Sequence, residues 1–394
     1  MLHVAINAQL VSFAESYRNA GVSRYTYTLL EGLSAEPGDQ HYTAFVNEAE
    51  ARAAASSPLG VSGALQLVAG SWRTGNPGRR ILWEQFALPG ELRRIGAQVF
   101  HSPVNVLPAR LPCASVVTVH DLAFVHYPQY FRPARRIYQR TFTRRSAQHA
   151  TRIVAVSEHT KRDLIERFGA PEERVRVIYP AIGADFAPVT DNAERAAFRA
   201  QHGLPERYVL FLGTLEPRKN LPLLVEAYAR LRSLDENTPP LVLAGGKGWY
   251  YQTIFDRIRA LNMERHITFA GYVAREAQRL WYACAELFVY PSVYEGFGLP
   301  VVEALACGTP VITSNVSSMP EAGGTLAIQV APDDADALAH AMRDALADPQ
   351  LRERTQREGT RWAGQFSVAR MAQAYEAIYR EAAAAGGGQG KRGR

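Results

Sequence analysis

The segment from Glu286 to Ile312 limits the fold more than any other part of the chain. It opens on an apolar run, Leu287-Phe-Val-Tyr290, with the length and composition of a buried strand. Gly296 and Gly298 then permit a tight turn and let a ligand come close to the main chain. Pro300 falls where a helix can begin, because the first turn has no use for its missing N–H. Gly308 suits the stop just past that helix, and Pro310 prevents its continuation. The chain then returns to an apolar strand at Val311-Ile312. Strand, glycine turn, short helix and strand in that order belong to an α/β fold with a parallel sheet.

The mouth of the short helix, at Phe297, Gly298 and Leu299, is suited to an anion, since free N–H groups and the helix dipole both favour negative charge. Two carboxylates flank it. Glu295 lies just before the turn, and Glu303 lies about one turn in, where it can accept from a vicinal diol. An anion cradle between two such carboxylates suits a sugar nucleotide. The whole frame, Glu295-Gly-Phe-Gly-Leu-Pro-Val-Val-Glu303 running on through Ala304-Leu-Ala-Cys-Gly308-Thr-Pro-Val-Ile312, resembles the retaining glycosyltransferases of family GT4. That resemblance covers nearly the whole chain and is strongest from 208 to 324. It implies the GT-B fold, two Rossmann-like parallel-sheet domains facing across a cleft. It also implies transfer of a hexose from a nucleotide-sugar donor, with retention at the anomeric carbon, to a glycan or lipid-linked acceptor. In that setting Glu295 would bind sugar hydroxyls and Glu303 the ribose diol.

The remaining sequence alternates strand and helix in two halves, as two open parallel sheets require. A length of 394 residues fits two domains. We expect a first domain over 1–185 and a second over 186–366. A last helix over 367–385 would, by the resemblance, cross back to the first domain. The Gly-rich basic end, 386–394, is expected to be disordered. Within the first half, 48–63 reads as an Ala-rich helix, 71–80 as an exposed basic loop and 83–94 as a helix.

Ligands of open α/β sheets sit at the carboxyl ends of the strands. Four further stretches meet that condition. Ala114-Ser-Val-Val-Thr-Val119 ends in His120-Asp121, and the resemblance has His120 contact the donor sugar while Asp121 orients a neighbour or caps the next turn. Tyr208-Val-Leu-Phe-Leu-Gly213-Thr ends in a loop holding Arg218 and Lys219. A guanidinium fork and a compact ammonium make a good pair for a diphosphate. In a family member this pair neutralises the leaving nucleoside diphosphate. Gly245, after the next strand, opens a turn that either only needs positive φ or forms a loop beside the nucleotide; Val273, after the strand that follows, falls where the family packs the base, and Gly213 is grouped with them as donor-binding. Gly21 opens the first helix, either as a simple turn or as a glycine loop lining the cleft; both readings stay open.

No G-x-G-x-x-G follows the first strand, which counts against a dinucleotide-dependent dehydrogenase. No D-x-D motif stands where it would hold a metal, and protein cations can replace one, so neither metal nor other cofactor is expected. Cys113, Cys284 and Cys307 are sparse and set among apolar residues, which argues for packing rather than disulfides or zinc. A net charge of +6 favours anionic partners. Nucleic acid is not among them, for no helix-turn-helix, zinc-finger or RNP-like pattern is present. Seven arginines (132, 135, 136, 140, 144, 145 and 152) occur with no acid between Asp121 and Glu158. Such a segment is either a solvated helix face or a peripheral contact with an anionic membrane. With neither a signal-peptide pattern at Met1 nor a long apolar run, the expected location is cytoplasmic, either free or peripheral at the inner membrane face.

A glycosidase would have no use for a phosphate cradle. A sugar-nucleotide epimerase of the same fold and a non-catalytic sugar-nucleotide-binding subunit remain as alternatives. His120-Asp-Leu-Ala-Phe-Val-His-Tyr-Pro128 resembles the corresponding stretch of mannosyltransferases that use GDP-mannose, which leans the donor that way.

Overall fold

The computed structural model describes residues 1–13, 21–35, 39–53, 59 and 63–389. The chain divides into two compact units. One holds Met1–Ala181 with the C-terminal helix Val368–Gln389, and the other holds Ile182–Ser367. This division falls a few residues before the expected 185–186.

Unit 1 is built on seven strands: β1 (Leu2–Asn7), β2 (Gln40–Val46), β3 (Leu65–Ala69), β4 (Val99–Ser102), β5 (Ala114–Val119), β6 (Arg152–Ala155) and β7 (Val175–Val177). They pair in parallel in the order β3-β2-β1-β4-β5-β6-β7. Unit 2 has six: β8 (Val209–Leu212), β9 (Leu241–Ala244), β10 (Ile267–Gly271), β11 (Leu287–Tyr290), β12 (Val311–Ser314) and β13 (Ile328–Val330). These are also parallel, in the order β10-β9-β8-β11-β12-β13. The central strands are short and buried throughout, as continuous apolar runs demand when helices cover both faces of a sheet. In each unit the strand order reverses once, between β1 and β4 and between β8 and β11. Such switch points are where open α/β sheets bind ligands. Both units thus have the architecture of the GT-B fold.

Several local expectations need correction. Edge strand β3 lies where the sequence offered nothing, because a half-exposed edge strand carries little apolar signal. The 71–80 loop is helical from Pro77, where Asn76 Oδ1 caps the turn by accepting from Gly78 N at 2.8 Å. That helix continues through a π-helical turn, Trp83–Ala87, into Leu88–Arg94. The helix expected over 48–63 is Glu48–Ala53, with most of the remainder outside the described residues. The last helix does not stop at 385. It runs to Gln389, and Gly386 lies so close to β5 that an added Cβ would meet Ala114 Cβ at 2.9 Å. Tertiary packing there outweighs the poor helix propensity of glycine. Residues 390–394 lie outside the described residues.

The C-terminal helix buries Met371, Tyr375, Ile378, Tyr379 and Ala382, a helical spacing that makes one apolar stripe. The stripe lies on unit 1, with the helix backbone near Gly32 and Glu376 O accepting from Gln40 Nε2 at 3.1 Å. No described helix is long and apolar enough to cross a membrane.

Candidate active site

In unit 2 the loops leaving β8 and β11 meet at the switch point. Val293 N and Ser292 Oγ each reach Arg218 O at 2.9 Å, which ties the two loops together. The β8 loop makes a 3-10 turn, Pro217–Lys219, that brings its charges inward. Lys219 Nζ forms an ion pair with Glu295 and donates to Tyr290 OH at 2.5 Å. Ser292 Oγ donates to Glu295 Oε1 at 2.7 Å, and Tyr290 OH does so at 3.2 Å. Arg218 Nη2 donates to Glu216 Oε1 at 2.6 Å. Two acids and two bases therefore balance in a largely buried cluster, as low-dielectric surroundings require.

The electrostatics follow from that pairing. Burial pushes the Glu295 carboxyl up, yet Lys219 and Arg218 hold it below the usual carboxylate value. Burial likewise favours a neutral Lys219, but Glu295, Tyr290 and Glu216 hold its ammonium above the ordinary value. Glu216 goes the other way: burial raises it and the two cations only partly compensate.

Gly298 adopts φ 114°, and a Cβ there would lie 2.3 Å from Met319 Cε. Glycine is needed for this turn and contact before any ligand is considered. Ser317 and Ser318 Oγ donate to Glu295 O at 2.8 and 2.9 Å, and Ser318 Oγ also lies 2.8 Å from Phe297 O. Both serines thereby bind carbonyls of the turn that leads into the helix Leu299–Ala306. Phe297 is buried and packs on Phe366, ring centroids 5.1 Å apart. Glu303 is 1% exposed, and its Oε2 accepts from Tyr282 OH at 2.9 Å.

Among the other residues singled out, Gly213 and Gly245 meet each other. Gly245 has φ 143°, and a Cβ on it would lie 1.9 Å from Gly213 O. Val273 is buried after β10. Arg218, Lys219 and Glu295 are brought together; Glu216, Tyr290, Ser292, Ser317 and Ser318 join them and were not anticipated. A lysine's acidic partner is invisible in sequence, although two polar residues inside Tyr290-Pro-Ser292 were a signal.

Gly21 and His120 belong to unit 1. Gly21 has φ 51° and opens the helix Val22–Ala35; the loop before it lies outside the described residues. His120 follows β5 at the β1/β4 side of the sheet. Its N donates to Asn105 Oδ1 at 3.0 Å, its Nε2 lies 2.7 Å from Pro103 O, and Tyr25 packs edge-on against its ring at 4.7 Å. Asp121 Oδ1 caps the following turn by accepting from Ala123 N at 3.0 Å. Burial lowers the His120 pKa, partly offset by the Pro103 bond and Asp121. Beneath it, fully buried His101 is pushed down to about 3, mainly by burial.

A histidine kept neutral in the fold but protonated near 6.5 when unfolded costs stability as pH falls below 6.5, until its folded pKa is reached. Unfolding of unit 1 is therefore expected to become about tenfold easier per pH unit from His101 between pH 6 and 4. Denaturant midpoints across that range check it, and His101→Gln should flatten the slope.

Fold and site together define a glycosyltransferase of the GT-B class. Solved structures agree on the fold. Sucrose-phosphate synthase from Thermosynechococcus elongatus superposes with a TM-score of 0.75 at 23% identity, over 98% of this chain and 100% of that one. WaaG, a glycosyltransferase involved in lipopolysaccharide biosynthesis, gives 0.72 at 16% identity, over 96% and 99%. Residues 19–186 match Glycosyltransferase Family 4, and residues 194–362 match Glycosyl transferases group 1. The chain is 35% identical to O-antigen chain mannosyltransferase B of Escherichia coli over 277 residues, 70% of this chain and 72% of that one. It is 26% identical to O-antigen chain mannosyltransferase RfbU of Salmonella typhimurium, over 55% and 57%. The chain belongs to glycosyltransferase family 4.

Proposed function

We propose that the protein transfers mannose from GDP-mannose, with retention of anomeric configuration and without a metal, to a glycan or lipid-linked acceptor. The observation that carries the mechanism is the paired cluster of Glu216, Arg218, Lys219 and Glu295 at the β8/β11 switch point. Mannose is supported by the O-antigen mannosyltransferases among the relatives and by the His120–Pro128 stretch.

In the reaction the bond from the anomeric carbon to the diphosphate breaks, and its electron pair leaves on a phosphate oxygen. A hydroxyl oxygen of the acceptor bonds to that carbon, and its proton passes to the departing diphosphate oxygen. Arg218, Lys219 and the N–H groups at Phe297–Leu299 stabilise the charge growing on the leaving diphosphate. Glu295 holds sugar hydroxyls, His120 contacts the sugar, and Glu303 accepts from the ribose diol. Arg218→Ala is expected to lower kcat by about 10²–10³ with little change in donor KM, as loss of a transition-state donor does. Glu303→Ala should instead weaken donor binding by about tenfold, the loss of one hydrogen bond to a charged group. Steady-state kinetics of nucleoside diphosphate release separate the two.

The helix Pro133–His149 exposes Arg135, Arg140, Arg144 and Arg145 beside Ile137, which is 64% exposed. A basic face with an apolar residue suits the anionic surface on which a lipid-linked acceptor would be presented. Cosedimentation with vesicles rich in phosphatidylglycerol, and not with phosphatidylcholine alone, is the expected result at low salt.

The primary test offers purified protein a panel of GDP- and UDP-sugars without added metal. Release of GDP from GDP-mannose alone is expected. Release from another donor would replace the assignment, and neither release nor thermal stabilisation by any donor would overturn it.

A further inference from the structure

A buried chain of hydrogen bonds runs through unit 1 from the C-terminal helix to the neighbourhood of His120. Tyr379 OH bonds His101 Nδ1 at 2.8 Å, His101 Nε2 bonds Thr118 Oγ1 at 2.9 Å, and Thr118 Oγ1 bonds Tyr375 OH at 2.7 Å. Tyr375 OH in turn bonds Tyr25 OH. His101, Thr118, Tyr375 and Tyr379 are 0% exposed and Tyr25 is 4% exposed. The π-surfaces reinforce the path: His101 stacks on Tyr375 at 5.0 Å, and Tyr25 meets His120 edge-on at an interplanar angle of 88°. Five polar groups from four elements are thus satisfied by one another, an arrangement in which each bond polarises the next.

His120 is the end of this path that the proposed function uses. A carbonyl only accepts, so the 2.7 Å contact with Pro103 O puts the ring proton on Nε2. The neutral ring then carries its lone pair on Nδ1, which has no hydrogen-bond partner among the described residues. With Nε2 anchored, the tilt of the ring about that bond is set by the Tyr25 edge. Tyr25 is itself set by the hydroxyl of Tyr375.

We propose that Tyr375 is a positioning residue for His120: through Tyr25 it fixes the imidazole so that Nδ1 accepts from a hydroxyl of the bound sugar. This rests on the reading that His120 contacts the donor. The C-terminal helix thereby contributes to sugar placement without touching the sugar.

The test compares Tyr375→Phe with Tyr42→Phe in the full chain. Tyr42 is equally buried, and its OH bonds Gln40 Oε1 at 3.2 Å near Glu376 of the same helix, with no bond to Tyr25. ¹⁵N-detected NMR of the histidine rings in the donor-free protein, with His120 assigned by His120→Ala, reads ring environment and tautomer directly. Tyr375→Phe is expected to shift the His120 ring nitrogens and to lower kcat about tenfold, the worth of one hydrogen bond, with donor KM within twofold. Tyr25→Phe/Tyr375→Phe together should lose no more than either alone. Tyr42→Phe should lower Tm while leaving the His120 signals and kcat unchanged.

Unchanged His120 signals in Tyr375→Phe would overturn the inference, even if Tm falls, since the hydroxyl would then serve packing alone. Full activity of His120→Ala would remove His120 from the proposed function and this inference's catalytic half with it. The NMR result would still decide separately whether Tyr375 sets the ring.

Discussion

Lys219→Ala is expected to abolish turnover to within about a thousandth of wild type and to destabilise unit 2 by about 3–5 kcal/mol at neutral pH. The two losses have one origin. Lys219 Nζ holds both Glu295 and Tyr290 OH in a site that is largely closed to water. Removing the ammonium deletes the charge proposed for the leaving diphosphate and strands a buried carboxylate. Adding Glu295→Gln should restore most of the stability and none of the activity. The pH dependence reverses as well. In the wild type Glu295 is held below its ordinary value, so its stabilisation is present above the unfolded carboxylate pKa and lost as pH falls through the folded one. Without Lys219, burial dominates and raises the Glu295 pKa, so the variant should gain stability as pH drops from 7 to 5. Urea midpoints at both pH values, with nucleoside diphosphate release at pH 7, measure this. A Lys219→Ala protein as stable as wild type at pH 7 would show that Glu295 does not depend on it.

Gly245→Ala should be tolerated as badly as Lys219→Ala, with unit 2 losing roughly 3–5 kcal/mol from combined overpacking and backbone strain. Its φ of 143° suits glycine alone, and an added Cβ would sit 1.9 Å from the Gly213 carbonyl oxygen. Main chain at the ends of β8 and β9 cannot yield as a side-chain tip can. Circular dichroism and expression yield would report the loss. A soluble, folded Gly245→Ala protein with only weakened donor binding would favour a purely ligand-facing glycine.

The parts of the fold that could be read in advance were those written in local chemistry. Glu286 through Ile312 spelled out a strand, turn, helix and strand because Gly298, Pro300 and Gly308 each occupy a backbone position with few alternatives. Arg218 and Lys219 could be placed at a strand end for the same reason. Long-range pairing was not legible. Nothing in Leu215-Glu-Pro-Arg-Lys219 says that Arg218 takes Glu216 while Lys219 reaches across to Glu295. His101 passed unnoticed inside a strand, though His101 and Thr118 within apolar runs and a Tyr375–Tyr379 pair one helical turn apart were its visible traces. Gly245 was legible as a special backbone position but not as one whose partner is another backbone. Edge strand β3 failed for want of signal rather than want of structure.

The C-terminal helix has a consequence for how the molecule is made. Unit 2 is contiguous in sequence, whereas unit 1 is assembled from segments on either side of it. Strands β1–β7 leave the ribosome before unit 2, whereas Tyr375 and Tyr379 leave it only after unit 2. Until they arrive, His101 and Thr118 lack their partners, and Gly32 of the first helix lacks the neighbour that covers it. The usual order of N-terminal domain first is therefore inverted. The unit whose synthesis begins first closes only after the other has emerged, so the His120 side sets once the helix Val368–Gln389 docks.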